Sequence, residues 1–195
     1  MAIAKRELVV LRATLRAIDP AIWRRIAVAE DLKLSQLHAV IQAAFGWEDC
    51  HLHEFEFGPE RFGRPDYDEG FPADGRQMRD ERKVTLADAL AAQREFSYWY
   101  DFGDDWWHDV VLEAREPMPA GAPRAELRAG ERSGPPEDCG GPFSYPDLLV
   151  ALRDRKHPEY DRLKEWVGDF DPERFDLAKS ARAVARAVAA RKRLR

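Results

Sequence analysis

Two parts of the chain alternate apolar and polar residues, turn, and alternate again, and this pattern constrains the fold more than any other feature. In the first part, residues 8–18 and 23–28 are separated by an Asp-Pro pair. In the second, residues 96–101 and 106–113 are separated by the turn-forming stretch 102–105. Alternation with period two is typical of strands, and Asp, Gly and Pro favour turns. The sequence therefore predicts two antiparallel hairpins.

Helical periodicity follows the first hairpin. Apolar residues recur at helical spacing over 35–45, and Gly46 stands where a helix commonly ends. Thr85 is expected to cap a short helix, and three more helices are predicted from Tyr145, from Pro158 and over 176–194.

Between these elements, residues 52–57 are interpreted as a third strand. The Gly- and Pro-rich stretches 58–82 and 116–143 are predicted to be a long loop and a linker. The expected fold class is α+β, with a mostly antiparallel sheet packed by one central helix. A single domain over 1–195 is expected, with a sheet-and-helix part over about 1–115 and a helical C-terminal section over 144–195.

Charge and composition exclude some classes of protein. A net charge of −5 and a pI of 5.6 disfavour an electrostatic grip on nucleic acid by the whole surface. Two cysteines without a C-x-x-C pair indicate neither a disulfide scaffold nor a cysteine-rich zinc module. Because no secretory segment and no long apolar run is found, a cytoplasmic protein without membrane contact is expected.

The C-terminal helix is the basic part of the chain. Arg186, Arg191, Lys192 and Arg193 lie in a stretch without acidic residues. One interpretation is a solvated helix whose last turn carries cations that suit the helix dipole. The alternative is a patch that contacts nucleic acid or an acidic partner.

Three motifs concentrate the residues that carry chemistry, and the first is 46–55. His51 and His53 are two positions apart, so on a strand they would share a face and could bind one divalent metal ion, assisted by Glu48 or Asp49. The alternative is that His53 is a half-buried, hydrogen-bonded ring beside Phe55.

The second motif is the turn 100–108. If residues 102–105 form the loop, Asp101 pairs with Trp106, and Asp101 and His108 become diagonal neighbours about 7 Å apart. A carboxylate at that distance can orient a histidine as a base or share a metal ion with it. Alternatively, Asp101 caps its own turn and His108 packs on Trp99.

The third motif, 134–141, presents Glu137, Asp138 and Cys139 between two prolines and two glycines, which indicates a rigid loop. It could supply acidic groups to a site built by the first two motifs, or it could equally be a shaped loop that packs under the sheet. Buried polar groups are less costly when they satisfy one another. We therefore expect at least one side-chain contact between residues 137–139 and either 48–53 or 101–108.

These motifs, in this order, resemble the plasmid pRiA4b ORF-3 family over about residues 8–177. The resemblance rests on four groups of residues: Pro20-Ala21-Ile22-Trp23-Arg24-Arg25-Ile26 with Leu37-His38; Phe45-Gly46-Trp47 with His51-Leu52-His53-Glu54-Phe55; Tyr100-Asp101-Phe102-Gly103-Asp104 with Trp107-His108; and Pro135-Pro136-Glu137-Asp138-Cys139-Gly140-Gly141 with Phe170-Asp171-Pro172 and Phe175-Asp176.

Members of that family are similar to proteins carried by plasmids and mobile elements, and some are labelled resolvases. A serine resolvase needs an early nucleophilic serine, and no serine precedes Ser35 here. The family often has a cysteine where this chain has Leu127, so a thiol pair with Cys139 is not expected. The resemblance implies no established activity.

Two hypotheses of function follow. The first is a binding or interaction module without catalysis. The second is a metal-dependent hydrolase, with nucleases among its candidates, that uses side chains from the three motifs. Its candidate catalytic residues are His53, Asp101, His108, Glu137 and Asp138, and its candidate metal ligands are His51, His53, Asp101 and His108.

Overall fold

The computed structural model describes residues 6–67, 76–91 and 93–190, and eight strands of this part of the chain form one sheet. The strands are β1 (Glu7–Leu15), β2 (Trp23–Ala29), β3 (His53–Phe57), β4 (Glu60–Gly63), β5 (Met78–Asp80), β6 (Glu95–Tyr100), β7 (Trp106–Pro117) and β8 (Ala125–Glu131). The helices are α1 (Leu34–Phe45), α2 (Leu86–Leu90), α3 (Gly141–Arg153), α4 (Tyr160–Val167) and α5 (Leu177–Ala190), with a 3₁₀ turn at Pro65–Tyr67.

The strand order is β5-β4-β3-β6-β7-β1-β2-β8, and every neighbouring pair is antiparallel except β4 with β5. Both predicted hairpins are present, and they join through β1 and β7. The predicted α+β class with a mostly antiparallel sheet is therefore confirmed.

One face of the sheet is the core and the other faces solvent, as alternation requires. Leu11, Ala13 and Leu15 of β1 are buried. The opposite face carries charged pairs, including Arg25 Nε to Glu113 Oε2 at 2.5 Å.

The predicted central helix is confirmed as α1. It covers the core with a buried apolar face and ends at Gly46, whose φ of 87° suits glycine and whose amide donates to Gln42 O. At the C-terminal end, α5 buries Val184 and Val188 against α1 and β8, while α3 packs on α4.

Two predicted irregular stretches contain strands. The loop expected over 58–82 is wrong where β4 and β5 lie, and the linker expected over 116–143 is wrong where β8 lies. Apolar alternation is broken in β4 because the buried strand carries Arg61, which is paired with Glu54. In β8 only Ala125 and Leu127 are buried, so the pattern is short.

The β6–β7 hairpin forms with a register different from the predicted one. Tyr100 pairs with Trp106, and Tyr98 pairs with His108. Asp101 leaves the strand because it builds the turn: its φ is 54°, its carbonyl accepts the Asp105 amide, and its Oδ1 accepts the amides of the next turn residues. The predicted diagonal pair of Asp101 and His108 is therefore wrong.

Candidate functional site

The three motifs meet at one end of the sheet. β3 begins there, β6 ends and β7 begins there, and β8 ends there. Trp47 Nε1 donates to Pro135 O at 2.9 Å, and the Glu48 amide donates to Glu137 Oε1 at 2.8 Å. The Gly140 amide donates to Asp104 Oδ2 at 2.9 Å. These bonds tie the loop 133–141 to both other motifs, and the expected convergence is confirmed.

Two glycines allow the third motif to approach so closely. A Cβ on Gly134 would lie 2.1 Å from Phe45 O. A Cβ on Gly141 would lie 1.9 Å from Asp104 O, and Gly141 also has a φ of +74°. Both distances are far below van der Waals contact, so backbone lies directly on backbone at these two points.

His51 stands between two carboxylates at the centre of this site. Its Nε2 lies 3.0 Å from Asp138 Oδ1 and 3.5 Å from Asp101 Oδ2. The Asp101 side chain is buried, whereas Asp138 reaches solvent. One residue from each of the three motifs therefore supplies an atom to a common point, and these three residues can hold a metal ion.

Beside this group, Tyr100 links the first and third motifs. Its hydroxyl donates to Glu137 Oε1 at 3.0 Å and accepts the Cys50 amide at 3.3 Å. Burial and the nearby Cys50 and Glu137 raise the pKa of Tyr100 well above its usual range, so this hydroxyl stays protonated. Burial likewise raises the pKa of the Cys139 thiol to about 12, so neither group is an activated nucleophile at neutral pH.

His53 does not join His51. It is the first residue of β3, it is buried, and its Nε2 lies 2.8 Å from Glu81 Oε2. Its ring stacks on His38 with centroids 3.4 Å apart. A metal ion shared by His51 and His53 is therefore not supported, because β3 begins after His51 and the two rings are held by different partners.

His38, on this side of the site, is not among the predicted site residues. Gln42 Nε2 donates to the Tyr98 hydroxyl at 3.0 Å, and that hydroxyl donates to His38 Nδ1 at 2.7 Å. The remaining nitrogen, Nε2, then donates to Asp49 Oδ1 at 2.6 Å. Burial lowers the pKa of His38 to about 4, so the ring is a neutral donor with a fixed tautomer.

His108 also lies apart from the His51 group. It is fully buried between the rings of Phe45, Trp47 and Tyr98, and its Nδ1 hydrogen-bonds with Tyr98 O at 3.1 Å. Burial lowers its pKa to about 3. The ring is packed, as the structural alternative for His108 expects, but its partners are Phe45, Trp47 and Tyr98, and the predicted partner Trp99 pairs with Trp107 instead.

An open cleft of about 640 Å³ borders the His51 group, and Asp138 belongs to both. Its walls come from α3, α4, the connection between them and the end of the third motif. They include Leu148, Val150, Ala151, Leu163 and Trp166, together with the polar residues Asp147, His157, Glu159 and Arg162.

Only part of the expected basic patch lies within the described residues. Arg186 is exposed on α5, whereas Arg191, Lys192 and Arg193 lie outside the described residues. A nucleic-acid contact of this helix stays a prediction.

The sequence predicts His51, Asp101 and Asp138 as site residues; it does not predict Glu81, and it places His38 and Tyr100 in the resembling motifs without a role in the site. A usable signal existed for His38, which falls on the apolar face of α1 between Leu34 and Ile41. Tyr100 follows the alternation of β6. Nothing local marks Glu81, because its role depends on the distant His53.

The protein is of the α+β class: its sheet is open and mostly antiparallel, with α1 and α5 on the core side. Its candidate site is built from three loop motifs. A family model described as plasmid pRiA4b ORF-3-like protein matches residues 7–179, and the chain belongs to this family.

Two relatives agree with this assignment. The chain is 38% identical over 163 residues to the uncharacterized protein y4hQ of Sinorhizobium fredii (strain NBRC 101917 / NGR234), a match that covers 83% of this chain and 81% of that protein. It is also similar to the crystal structure of the protein of unknown function MM3350 from Methanosarcina mazei Go1. That similarity has a TM-score of 0.79 and 38% identity and covers 90% of this chain and 98% of the other.

Neither relative's name states an activity. Within the described residues, no helix is long and apolar enough to span a bilayer.

Proposed function

We propose that the protein is a binding module and that its ligand site is the cleft between α3 and α4. The observation that carries the proposal is the exposure of large apolar side chains on α3 and α4, the two helices of this cleft, of which Val150 and Trp166 line it. Phe143 is 84% exposed, Val150 60% and Trp166 46%. Large apolar side chains left exposed close together on a folded chain are typical of an interaction site.

The occupant we favour is an amphipathic helix of a partner protein. Phe143 and Val150 lie seven residues apart on α3, so they share a face and form a ridge about 10 Å long. A ridge along one helix, with a second helix beside it, suits a helix laid into a groove better than a small enclosed ligand.

The charge of the cleft predicts that the partner helix is basic. Asp138, Asp147 and Glu159 line the cleft, and the one arginine among the lining residues, Arg162, is paired with Glu159 at 2.7 Å. The cleft is therefore acidic beside its apolar wall. Electrostatic complementarity favours a helix that carries lysine or arginine next to its apolar face.

The experiment compares two designed helical peptides of about five turns with the same leucine face, one flanked by lysines and one by glutamates. Fluorescence anisotropy of labelled peptides measures binding to the intact protein. We expect saturable binding of the lysine peptide and at least about tenfold weaker binding of the glutamate peptide, a difference of about 1.4 kcal/mol.

Variants locate the binding. Trp166→Ala and Val150→Asp should each weaken binding of the lysine peptide by about tenfold or more. Leu177→Ala is the matched control, because Leu177 is 41% exposed and lies on α5, away from the cleft. Equal affinity for both peptides, or equal losses in all three variants, would contradict the proposal.

A metal-dependent hydrolase is the second candidate, and the observation that favours it is the His51–Asp101–Asp138 group, of which Asp138 lines the same cleft. A bound metal ion there would activate water next to a bound substrate. The same end of the sheet carries Glu48 and Glu137, so a phosphodiester would be repelled unless a metal ion neutralised the site.

The test for hydrolysis uses an activated ester and an activated phosphodiester, each with and without added Zn²⁺ or Mn²⁺. Metal-dependent turnover that Asp138→Asn abolishes would support the second candidate. If no turnover is detected, or if Asp138→Asn leaves turnover unchanged, the hydrolase candidate is contradicted and the binding module is the remaining proposal.

A further inference from the structure

We propose that His51, Asp101 and Asp138 form a site for one divalent transition-metal ion, Zn²⁺ or Mn²⁺. One nitrogen and two carboxylate oxygens from these residues all lie within 4.8 Å of one another. The site stands independently of which partner occupies the cleft between α3 and α4.

The distances fit two ligands on one ion. Zinc binds histidine nitrogen and carboxylate oxygen at about 2.1 Å, so two such ligands are separated by about 3.0 Å at a right angle and about 3.4 Å at the tetrahedral angle. His51 Nε2 lies 3.0 Å from Asp138 Oδ1 and 3.5 Å from Asp101 Oδ2. Both separations fall close to these two values, so an ion can be placed without a large rearrangement.

These short contacts are not hydrogen bonds. His51 Nε2 is buried as an atom and has no hydrogen-bond partner, although two carboxylate oxygens lie nearby. Buried ring nitrogens are nearly always satisfied. A metal ion would satisfy this nitrogen through its lone pair and would neutralise the two facing carboxylates at the same time.

The surrounding bonds hold the ligands in place. Asp101 Oδ1 accepts the amides of Gly103 and Asp104 at 3.0 and 3.2 Å, which leaves Oδ2 directed at His51. Such outer hydrogen bonds are typical of carboxylates that ligate metals. Asp138 is 70% exposed and gives the ion a path from solvent and an open side.

The donor set decides the class of ion. Imidazole nitrogen favours Zn²⁺ and other first-row transition-metal ions, and two carboxylates also suit Mn²⁺. Mg²⁺ and Ca²⁺ prefer sites made of oxygen ligands only. Glu137 is a poorer ligand because its Oε1 already accepts bonds from Tyr100 and from the Glu48 amide.

The other group of potential ligands around a buried histidine, His38 with Asp49 and His53, offers less. Both ring nitrogens of His38 are already hydrogen-bonded, one to Tyr98 and one to Asp49.

Isothermal titration of the intact, metal-stripped protein without a His-tag tests the site with Zn²⁺, Mn²⁺ and Mg²⁺ added alone. We expect one equivalent of Zn²⁺ or Mn²⁺ to bind at least about tenfold more tightly than Mg²⁺. His51→Ala, Asp101→Asn and Asp138→Asn should each weaken that binding by about tenfold or more. Substitution with Co²⁺ should give visible d–d bands that His51→Ala removes.

Two control variants distinguish binding at this site from nonspecific binding of metal ions to the acidic cleft. His157→Ala and Asp147→Asn change a histidine and an aspartate that line the same cleft without touching His51, and they should leave the affinity unchanged. Asp138→Asn lies on an exposed loop and is expected to fold even if Asp101→Asn does not. The proposal is overturned if no transition-metal ion binds, or if Asp138→Asn and His51→Ala bind as tightly as the unchanged chain. In either case peptide binding by the cleft would stand.

Discussion

Substitution of Gly141 tests whether the third motif is held by direct backbone contact with the hairpin tip. In Gly141→Ala, the new Cβ would lie 1.9 Å from Asp104 O, and ordinary contact begins at 3.4 Å. The two backbones must therefore separate by about 1.5 Å, which also breaks the bond from the Gly140 amide to Asp104 Oδ2.

The magnitude is the sum of three contributions. An alanine at a φ of +74° costs about 1 kcal/mol. Loss of one solvent-exposed hydrogen bond costs about 1 kcal/mol. Displacement of the buried Tyr145, which follows on α3, adds about 1 kcal/mol or more. The free energy of unfolding should therefore fall by about 3 kcal/mol, which lowers the melting temperature by roughly 6–12 °C for a chain of this size.

Gly121→Ala is the matched control, because Gly121 has a similar φ of +78° but nothing within 4 Å of the added Cβ. It should lose only about 1 kcal/mol, from backbone strain alone. Urea unfolding followed by tryptophan fluorescence and by circular dichroism measures both variants. If Gly141→Ala loses no more stability than Gly121→Ala, the contact between the third motif and the hairpin tip does not constrain the fold as argued.

Two further predictions concern buried polar groups. Arg61→Met leaves the buried carboxylate of Glu54 without its partner and should cost about 3–5 kcal/mol, of which Glu54→Leu in the same chain should restore more than half; additive losses in urea titrations would contradict this coupling. Stability should also fall as the pH drops from about 6.5 to about 4, because the unfolded chain protonates its histidines near pH 6.5 while burial lowers the pKa of His38 to about 4 and of His108 to about 3. The unfolded state binds more protons in this window, so stability is full above it, and His108→Asn should reduce the slope by about 1.4 kcal/mol per pH unit; an unchanged slope would show that His108 is not held neutral.

Much of the fold follows from local pattern. The alternation around Leu11 and around Tyr98 was sufficient for two hairpins, and the periodicity that ends at Gly46 was sufficient for α1. β4 was missed because its buried Arg61 reads as a surface residue until its partner Glu54, on the neighbouring strand, is known. The prediction of β4 therefore lacked knowledge of which distant residues pair, and not knowledge of the strand propensity of its residues.

For the candidate site too, the residue types could be predicted from the sequence but the pairing of the strands could not. His51, Asp101 and Asp138 were noticed as residue types, and their convergence was expected from the cost of leaving polar groups single. The register of the hairpin was not predictable, because Asp101 adopts a φ of 54° and enters the turn. His108 lies on the buried face of β7 with Trp106 and Val110, and the shift of one residue in pairing places Tyr98 rather than Trp99 opposite it.

The interior position of β1, between β7 and β2, has a consequence for how the chain folds as it is synthesised. Arg16, just after β1, contacts Asp109 of β7, 93 positions later, and Trp23 of β2 contacts Glu131 of β8, 108 positions later. At a translation rate of about 5–20 residues per second, the first hairpin waits roughly 5–20 s with both of its edges unpaired. Such long loop closures are slow, so chaperone capture of nascent chains is expected before β7 leaves the ribosome.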